Sequence, residues 1–329
     1  MLRFDLRVPD WGPATVVEQY AAALDMAEWA DQQGVDTLVF SEHHGSEDGY
    51  LPSPVVLAAA CAGRTSRIGL MISALLVPLH DPVQMAEDLT VLQLVSGGRL
   101  AVTAGAGYRP EESAMFGVDF DGRGQAVEDH LRVLLDAWAG EEVTSGEWTG
   151  RITPAPQAPP FLMVGGSSKA AARRAATLGV PFQPADHVPD LAEHYERICE
   201  ERGTAGFVLQ PPPGGPLTLY LADDPDRAWA QLGPHLLHDV QAYGAWQPTN
   251  PRNAMHREVS TVDELRAADL FTIASPEDGV ALAREADVVL LHPLCGGIPA
   301  DLGWETLGHW EETVAPALAP AAAAGDGAS

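Results

Sequence analysis

Two apolar periods alternate along the chain. Short apolar runs of strand type give way to longer stretches whose apolar residues recur every three or four positions, as on one face of a helix. Leu2–Arg7 predicts a first strand and Val16–Gln33 an amphipathic helix closed by Gly34. Thr37–Ser41 predicts a second strand. Ser53-Pro54 then opens an alanine-rich helix through Arg64, with Ser as N-cap and Pro at the first helical position. Ile68–Val77 reads as a third strand, and Asp81-Pro82 caps a helix through Val95 that Gly97-Gly98 stops. Leu100–Ala104 is a fourth strand, followed by a glycine-bearing loop and a helix over Gly122–Ala139.

The alternation continues after an excursion rich in Gly, Thr and Pro at residues 140–160. Phe161–Val164, Val180–Gln183, Leu217–Ala222 and Asp287–Leu291 predict strands five to eight. Helices are expected over Lys169–Leu178, Leu191–Glu201, Pro225–Val240, Val262–Ala268, Pro276–Glu285 and Leu302–Leu318. Residues 243–260 carry Gly, Pro, Asn and Trp without periodicity and predict a long loop; the tail from Ala319 is of low complexity and is expected to be disordered. Eight strands alternating with helices predict an α/β fold, a closed (β/α)8 TIM barrel with insertions, as one domain over residues 1–318. A doubly wound open sheet is the second choice. The lack of GxGxxG after the first strand counts against a dinucleotide-binding half.

Composition narrows the function. With 329 residues, 46% of them hydrophobic, the chain can bury a barrel-sized core. A formal net charge of −27 argues against a nucleic-acid partner and against anionic membrane surfaces. Met1-Leu2-Arg3-Phe4-Asp5 leads straight into strand-like sequence, and no run approaches roughly 18 apolar residues, so neither a secretory signal nor a membrane span is expected. Cys61, Cys199 and Cys295 are odd in number and lack CxxC spacing, which fits a reducing cytoplasm without an obvious zinc site.

The chemistry concentrates at strand ends, where barrel enzymes keep their active sites. The second strand ends in Ser41-Glu42-His43-His44. Neighbours along a strand point to opposite faces, so Glu42 and His44 share one side and His43 and Ser41 the other. The two histidines therefore cannot readily hold one metal, and no metal is expected. An imidazole titrating near neutrality is the natural general acid or base. Gly165-Gly166-Ser167-Ser168 follows a strand and opens a helix, an arrangement suited to an anion such as phosphate; a plain helix cap is the alternative. Gly105-Ala106-Gly107-Tyr108-Arg109 leaves room for a planar group, with Tyr108 placed to stack or to hydrogen-bond. Ser73-Ala74 puts small residues into an otherwise bulky strand, and Arg123 is a candidate anion clamp in a chain with only 19 Lys and Arg.

These motifs together resemble the bacterial luciferase-like flavin monooxygenase superfamily. The likeness runs through Ser41-Glu42-His43-His44, Leu75–Val83 with Ala86-Glu87-Asp88, Ser96-Gly97-Gly98-Arg99-Leu100, Gly105–Tyr108, Phe116-Gly117-Val118, Arg123 and Gly165-Gly166-Ser167. It is strong over residues 1–185 and weak beyond. The resemblance implies a (β/α)8 barrel with flavin at its C-terminal mouth, phosphate at Gly165, Gly166 and Ser167, and His43 as the catalytic histidine, with Glu42, His44 and Tyr108 beside it. It also implies a non-proline cis peptide at Ser73–Ala74 under the flavin ring, next to Gly105 and Gly107. The reactive Cys and adjacent Arg of luciferase are Gly105 and Ala106 here, a departure from the light-emitting pattern. One phosphate-contacting Arg is missing, which leaves Arg123. The implied activity is oxygenation of a small-molecule substrate by reduced FMN and O2 through a flavin peroxide species, with a separate flavin reductase and a homodimer packed through the helix at 54–64. Deazaflavin (coenzyme F-420) hydride transfer and a non-catalytic flavin-binding barrel are the alternatives. Residues 243–260, with Trp246, Pro248, Asn250, Pro251 and Asn253, are expected to lie over the mouth as a lid.

Overall fold

The computed structural model describes residues 1–246 and 259–319. Its strands in chain order are β1 (Leu2–Phe4), β2 (Thr37–Phe40), β3 (Gly69–Leu76), β4 (Leu100–Gly105), β5 (Val143–Ser145), β6 (Trp148–Gly150), β7 (Phe161–Gly166), β8 (Phe182–Pro184), β9 (Leu217–Leu221), β10 (Thr272–Ala274) and β11 (Val289–Leu290). One parallel sheet runs β1-β2-β3-β4-β7-β8, and a second runs β10-β9-β11. A parallel bridge from Leu2 to Leu291 joins the two sheets, and a bridge from Phe182 to Val208 extends the first. The strands thus lie side by side with a helix on each main return, the succession of a (β/α)8 barrel with insertions. Apolar strand residues such as Phe4, Phe40, Ile72, Val102, Val164 and Phe182 are buried on the sheet, and the inner faces of the helices close over them. No helix of the described residues is long and apolar enough to cross a membrane.

All eight expected strands are present. The departures are local. The 140–160 excursion contains the antiparallel hairpin β5–β6, turned at Gly146 with φ +59°. β10 was not expected, because three residues between two helices are too few to show alternation. A short helix, Pro110–Phe116, follows β4 where a loop was expected. Ser53 makes no side-chain cap, although Pro54 does open its helix; Asp81 does cap, accepting from Val83 N and Gln84 N at 3.0 Å each. The helix expected over Pro225–Val240 runs to Trp246, so residues 243–246 of the expected loop are helical. The rest of that loop up to residue 258, with Pro248, Asn250, Pro251 and Asn253, and the tail from Pro320 lie outside the described residues.

One polar tether fixes the first helix to the barrel. Asp31, near the end of the helix Val16–Gln32, accepts the backbone N–H groups of Ser66, Arg67 and Ile68 at 3.0, 2.8 and 2.7 Å just before β3. Burial alone would raise its pKa, but these hydrogen bonds hold it at about 2. A carboxylate depressed below its ordinary value stabilises the fold fully above about pH 4 and loses that effect as pH falls toward the folded value. Asp31→Ala is therefore expected to cost about 2–3 kcal/mol near neutrality. The difference from the parent should shrink as the pH of urea denaturation is lowered from 7 toward 3. Identical midpoints at pH 7 would show that the tether contributes nothing.

Candidate active site

Past Phe40 the chain leaves β2 and carries Ser41–His44 out at the barrel mouth. Its side chains alternate as the extended backbone dictates. On one side, the buried Glu42 carboxylate accepts from Leu76 N at the end of β3 at 2.5 Å, His44 Nε2 at 2.8 Å and His80 Nε2 at 2.7 Å. Burial works against the charge of Glu42, yet these donors hold its pKa at about 2. Ser41 Oγ donates to Ser73 O at 2.9 Å and ties the same strand end to β3.

On the opposite side His43 joins a second polar chain. Its Nδ1 lies 2.8 Å from Glu112 Oε1, and its Nε2 lies 2.8 Å from the Tyr108 hydroxyl. An ionised carboxylate can only accept, so Nδ1 carries the proton and, in the neutral ring, Nε2 accepts from Tyr108. Glu112 Oε1 also accepts His44 N at 2.9 Å and Arg109 Nη1 at 3.1 Å. Burial by itself would raise the Glu112 pKa; the bond from His43 and the neighbouring donors hold it below the usual carboxylate value. His43 is pushed below its ordinary value chiefly by burial, with Arg7 and Arg109 adding to the depression and Glu112 opposing it.

An aromatic wall faces His43. The Trp246 ring centre is 4.7 Å from that of His43, and Tyr50 meets the imidazole edge-on at 5.0 Å. Two guanidiniums also lie over the Trp246 indole, Arg7 at 4.4 Å and Arg109 at 4.3 Å from its centre. Tyr243, one helical turn before Trp246, hydrogen-bonds Tyr50 through the two hydroxyls at 2.7 Å.

The strands beside this wall are lined by small and polar residues. The Ser73–Ala74 peptide is cis. A Cβ on Gly105 would sit 2.9 Å from the Ala74 Cβ, and one on Gly165 would sit 2.7 Å from Thr103 Cγ2. Ser73 and Thr103 hydroxyls both reach Gln183 Oε1. Gly166 has φ +150°, where a side chain is rarely tolerated, and a Cβ there would lie 2.7 Å from Ala171 Cβ. The turn ahead of the helix Lys169–Leu178 is thus kept bare. Ser168 Oγ caps that helix on Ala171 N at 3.2 Å.

The structure brings His43 and Tyr108 into direct contact and groups Glu42 with His44. It sets Ser73, Ala74 and Gly105 against one another, and Gly107 takes φ +72° in the loop that presents Tyr108. Arg123 opens the helix Arg123–Trp138 and donates to Phe120 O at 2.6 Å, its guanidinium 3.8 Å from the Phe120 ring centre. The sequence reading missed Glu112, Arg7, Tyr50, Gln183 and Arg174. Arg174 Nη2 lies 2.6 Å from where a Gly124 Cβ would be, and its buried Nε has no hydrogen-bond partner. The available signal for Glu112 was Arg109-Pro110-Glu111-Glu112, a proline and acidic residues fit to open a helix.

The family model described as luciferase-like monooxygenase matches residues 5–290, and the chain belongs to that family. It is 26% identical over 283 residues to 4-hydroxyprotoasukamycin monooxygenase of Streptomyces nodosus subsp. asukaensis, covering 80% of this chain and 76% of that protein. It is 24% identical over 201 residues to the oxygenase component of the flavin-dependent trigonelline monooxygenase of Acinetobacter baylyi, covering 57% of this chain and 56% of that one. Other matches are local: the uncharacterized protein y4vJ of Sinorhizobium fredii is 33% identical, over only 34% of this chain and 32% of its own length. Among solved structures, monooxygenase RslO1 of Streptomyces bottropensis shares the fold with a TM-score of 0.76 at 20% identity, over 97% of this chain and 99% of that one. The oxygenating constituent of 3,6-diketocamphane monooxygenase of Pseudomonas putida, in complex with FMN, gives 0.69 at 20%, over 97% and 98%. An F420-dependent secondary alcohol dehydrogenase gives 0.67 at 15%, over 97% and 99%.

The electrostatics of His43 yield a direct expectation. Its ring should titrate below the ordinary histidine value of about 6.5 when followed by imidazole 15N chemical shifts. Glu112→Gln should move the midpoint further down, because a carboxylate that favours the charged ring is gone. An unmoved midpoint would show that Glu112 does not hold Nδ1.

Proposed function

We infer that the protein is the oxygenase component of a flavin-dependent monooxygenase, taking reduced FMN from a separate reductase and using O2 to oxygenate a small organic substrate. The observation that carries this reading is the Glu112–His43–Tyr108 chain beside a strand wall stripped of side chains at Gly105 and Gly165. An FMN-bound structural relative and a relative named as an oxygenase component support the choice of cofactor and of a two-component system. The residues present fit FMN. Bare backbone at Gly165 and Gly166 heads a helix N-terminus that favours phosphate, with Ser167 in the turn. Arg123 and the incompletely bonded Arg174 belong to the two helices packed together next to it. Ser73, Ala74, Gly105 and Gly107 would border the ring system.

Bound reduced FMN supplies the electrons that activate O2. The chain's own part is orientation, proton control and exclusion of water. Glu112 fixes the His43 tautomer, so that proton exchange falls to Nε2, on the side shared with the Tyr108 hydroxyl. Low basicity keeps this nitrogen able to accept a proton at neutral pH. Glu42 and His44 act by holding the strand end in place. Trp246, Tyr50 and Tyr243 exclude water from the His43 side. The F420-dependent structural relative keeps hydride transfer to or from a deazaflavin as the second reading. A barrel that only stores flavin would not need the buried, tautomer-fixed imidazole.

Anaerobic titration with reduced FMN and, separately, with reduced F-420 distinguishes the two cofactors. Reduced FMN is expected to bind, and Gly166→Asp to weaken it by setting a carboxylate and a Cβ against the phosphate turn. His43→Ala should bind FMN like the parent and turn over roughly 10²–10⁴-fold more slowly. Binding of F-420 alone would replace the FMN reading, and an unchanged rate would remove His43 from the chemistry.

The assembly is a C2 homodimer in this reading. Val56 on the helix Pro54–Ala62 and Val91, Leu94 and Val95 on the adjoining helix Pro82–Val95 are 70%, 49%, 47% and 55% exposed. Exposed apolar side chains on two packed helices support an association surface there. Light scattering should return twice the chain mass of 34.9 kDa. Val91→Glu combined with Leu94→Glu should return a single chain; a monomeric parent would defeat the dimer.

A further inference from the structure

The end of β1 and the end of β11 hold a buried cluster that the flavin chemistry does not use. Asp5, His292 and Cys295 are 0%, 3% and 0% exposed. One ligating atom from each, a carboxylate oxygen, an imidazole nitrogen and a thiol sulfur, lie within 4.8 Å of one another. His292 and Cys295 stand three residues apart, joined by a turn in which Cys295 N donates to His292 O at 3.1 Å. Asp5 reaches them because β1 lies beside the last strand, with Arg3 N on Leu291 O at 2.9 Å. The His292 carbonyl is held by the Tyr220 hydroxyl at 2.9 Å.

The hydrogen bonding around these groups is incomplete. Both Asp5 oxygens and His292 Nε2 are buried without a hydrogen-bond partner, although Nε2 is only 3.3 Å from Asp5 Oδ1. Among the described residues no arginine hydrogen-bonds Asp5, although Arg7 and Arg3 lie near enough to favour its charge. Arg7 Nη1 bonds Asp48 at 2.7 Å and Arg7 Nε faces Asp239 at 2.8 Å, while Asp5 is 4.0 Å away. Arg3 Nη2 bonds the Tyr243 hydroxyl at 2.8 Å. Two guanidiniums therefore face three carboxylates, and neither Asp5 nor Asp239 is hydrogen-bonded. A buried carboxylate without hydrogen bonds is costly and calls for a bound water or ion. Water supplies hydrogen bonds but no charge. A divalent cation with Cys295 as thiolate supplies both and leaves the cluster neutral.

We propose that Asp5, His292 and Cys295 bind a zinc-type divalent cation that fastens the first strand of the barrel to its last. The carboxylate, imidazole and thiolate are the donor set zinc prefers. Tetrahedral zinc with bonds of about 2.0–2.3 Å places its ligands roughly 3.3–3.8 Å apart, so the cluster closes by a shift of about 1 Å. Asp239, whose two oxygens also lack hydrogen bonds, or a water completes the coordination. The three donors come from opposite ends of the sequence, which is why residue spacing near the other histidines gave no metal. The site is independent of flavin and of turnover.

The test uses the untagged full chain, equilibrated with zinc(II) and passed through gel filtration, with metal measured by mass spectrometry of the eluted protein. One zinc per chain is expected, falling to background in Cys295→Ser. Cobalt(II) loading should give a thiolate-to-cobalt charge-transfer absorption that survives Cys61→Ser and Cys199→Ser. That arm needs no change at position 295, so it decides the matter even if Cys295→Ser fails to fold. No retained zinc in the parent, equal retention by a folded Cys295→Ser variant, or loaded cobalt without the thiolate band would overturn the proposal.

Discussion

A carboxylate sealed from water must take its hydrogen bonds from the protein, and Glu42 takes them from three elements at once. Leu76 N brings the end of β3, His80 brings the start of the next helix, and His44 brings the strand's own continuation. Removing any one donor would leave a buried anion partly unsatisfied, a loss larger than the net worth of an ordinary hydrogen bond. The extended chain after β2 is thereby pinned on one side. Because side chains alternate, pinning Glu42 and His44 there turns His43 to the other side.

What meets His43 on that side decides its chemistry. Glu112 holds Nδ1–H and also the His44 backbone N–H, so the same oxygen orients the ring and the chain that carries it. The second ring nitrogen is left to Tyr108. Arg7 and Arg109 lie close enough to depress the imidazole, and both guanidiniums lie over the Trp246 ring. One set of contacts thus fixes tautomer, basicity and water exclusion together. The arrangement is built from β1, β2, the β4 loop and the helix Pro225–Trp246, which no single sequence window spans.

Legibility in the sequence followed this division. The barrel was readable because most of its strands are short, largely apolar and largely buried, bounded by caps such as Asp81 and by glycines such as Gly34 and Gly97. Three-residue strands such as β10 carry too little pattern to be seen. The chain Ser41–His44 was readable because polar side chains at the end of a buried strand need a reason to be there, and Gly165–Ser167 because glycines head a helix. Glu112 was not readable. One carboxylate among 46 acidic residues acquires a role only when tertiary packing brings it under His43. Tyr243 and Trp246 fall in a stretch, residues 243–260, whose Gly, Pro, Asn and Trp show no periodicity and predict a loop, yet the helix continues through Gly244 to Trp246.

The charge distribution links site and surface. The chain is strongly acidic overall, yet the side chains near His43 include two buried guanidiniums, Arg7 and Arg109, both stacked on Trp246. Desolvated cations are unfavourable unless matched, and Asp48, Asp239 and Glu112 match them. His43 is thus buried among aromatic rings and charge-matched guanidiniums. Such surroundings disfavour a second proton on the ring. An aliphatic lining would bury the ring equally well but would leave its two nitrogens without hydrogen-bond partners. The polar partners of His43 therefore follow from burying an imidazole whose Nδ1 and Nε2 both need hydrogen bonds.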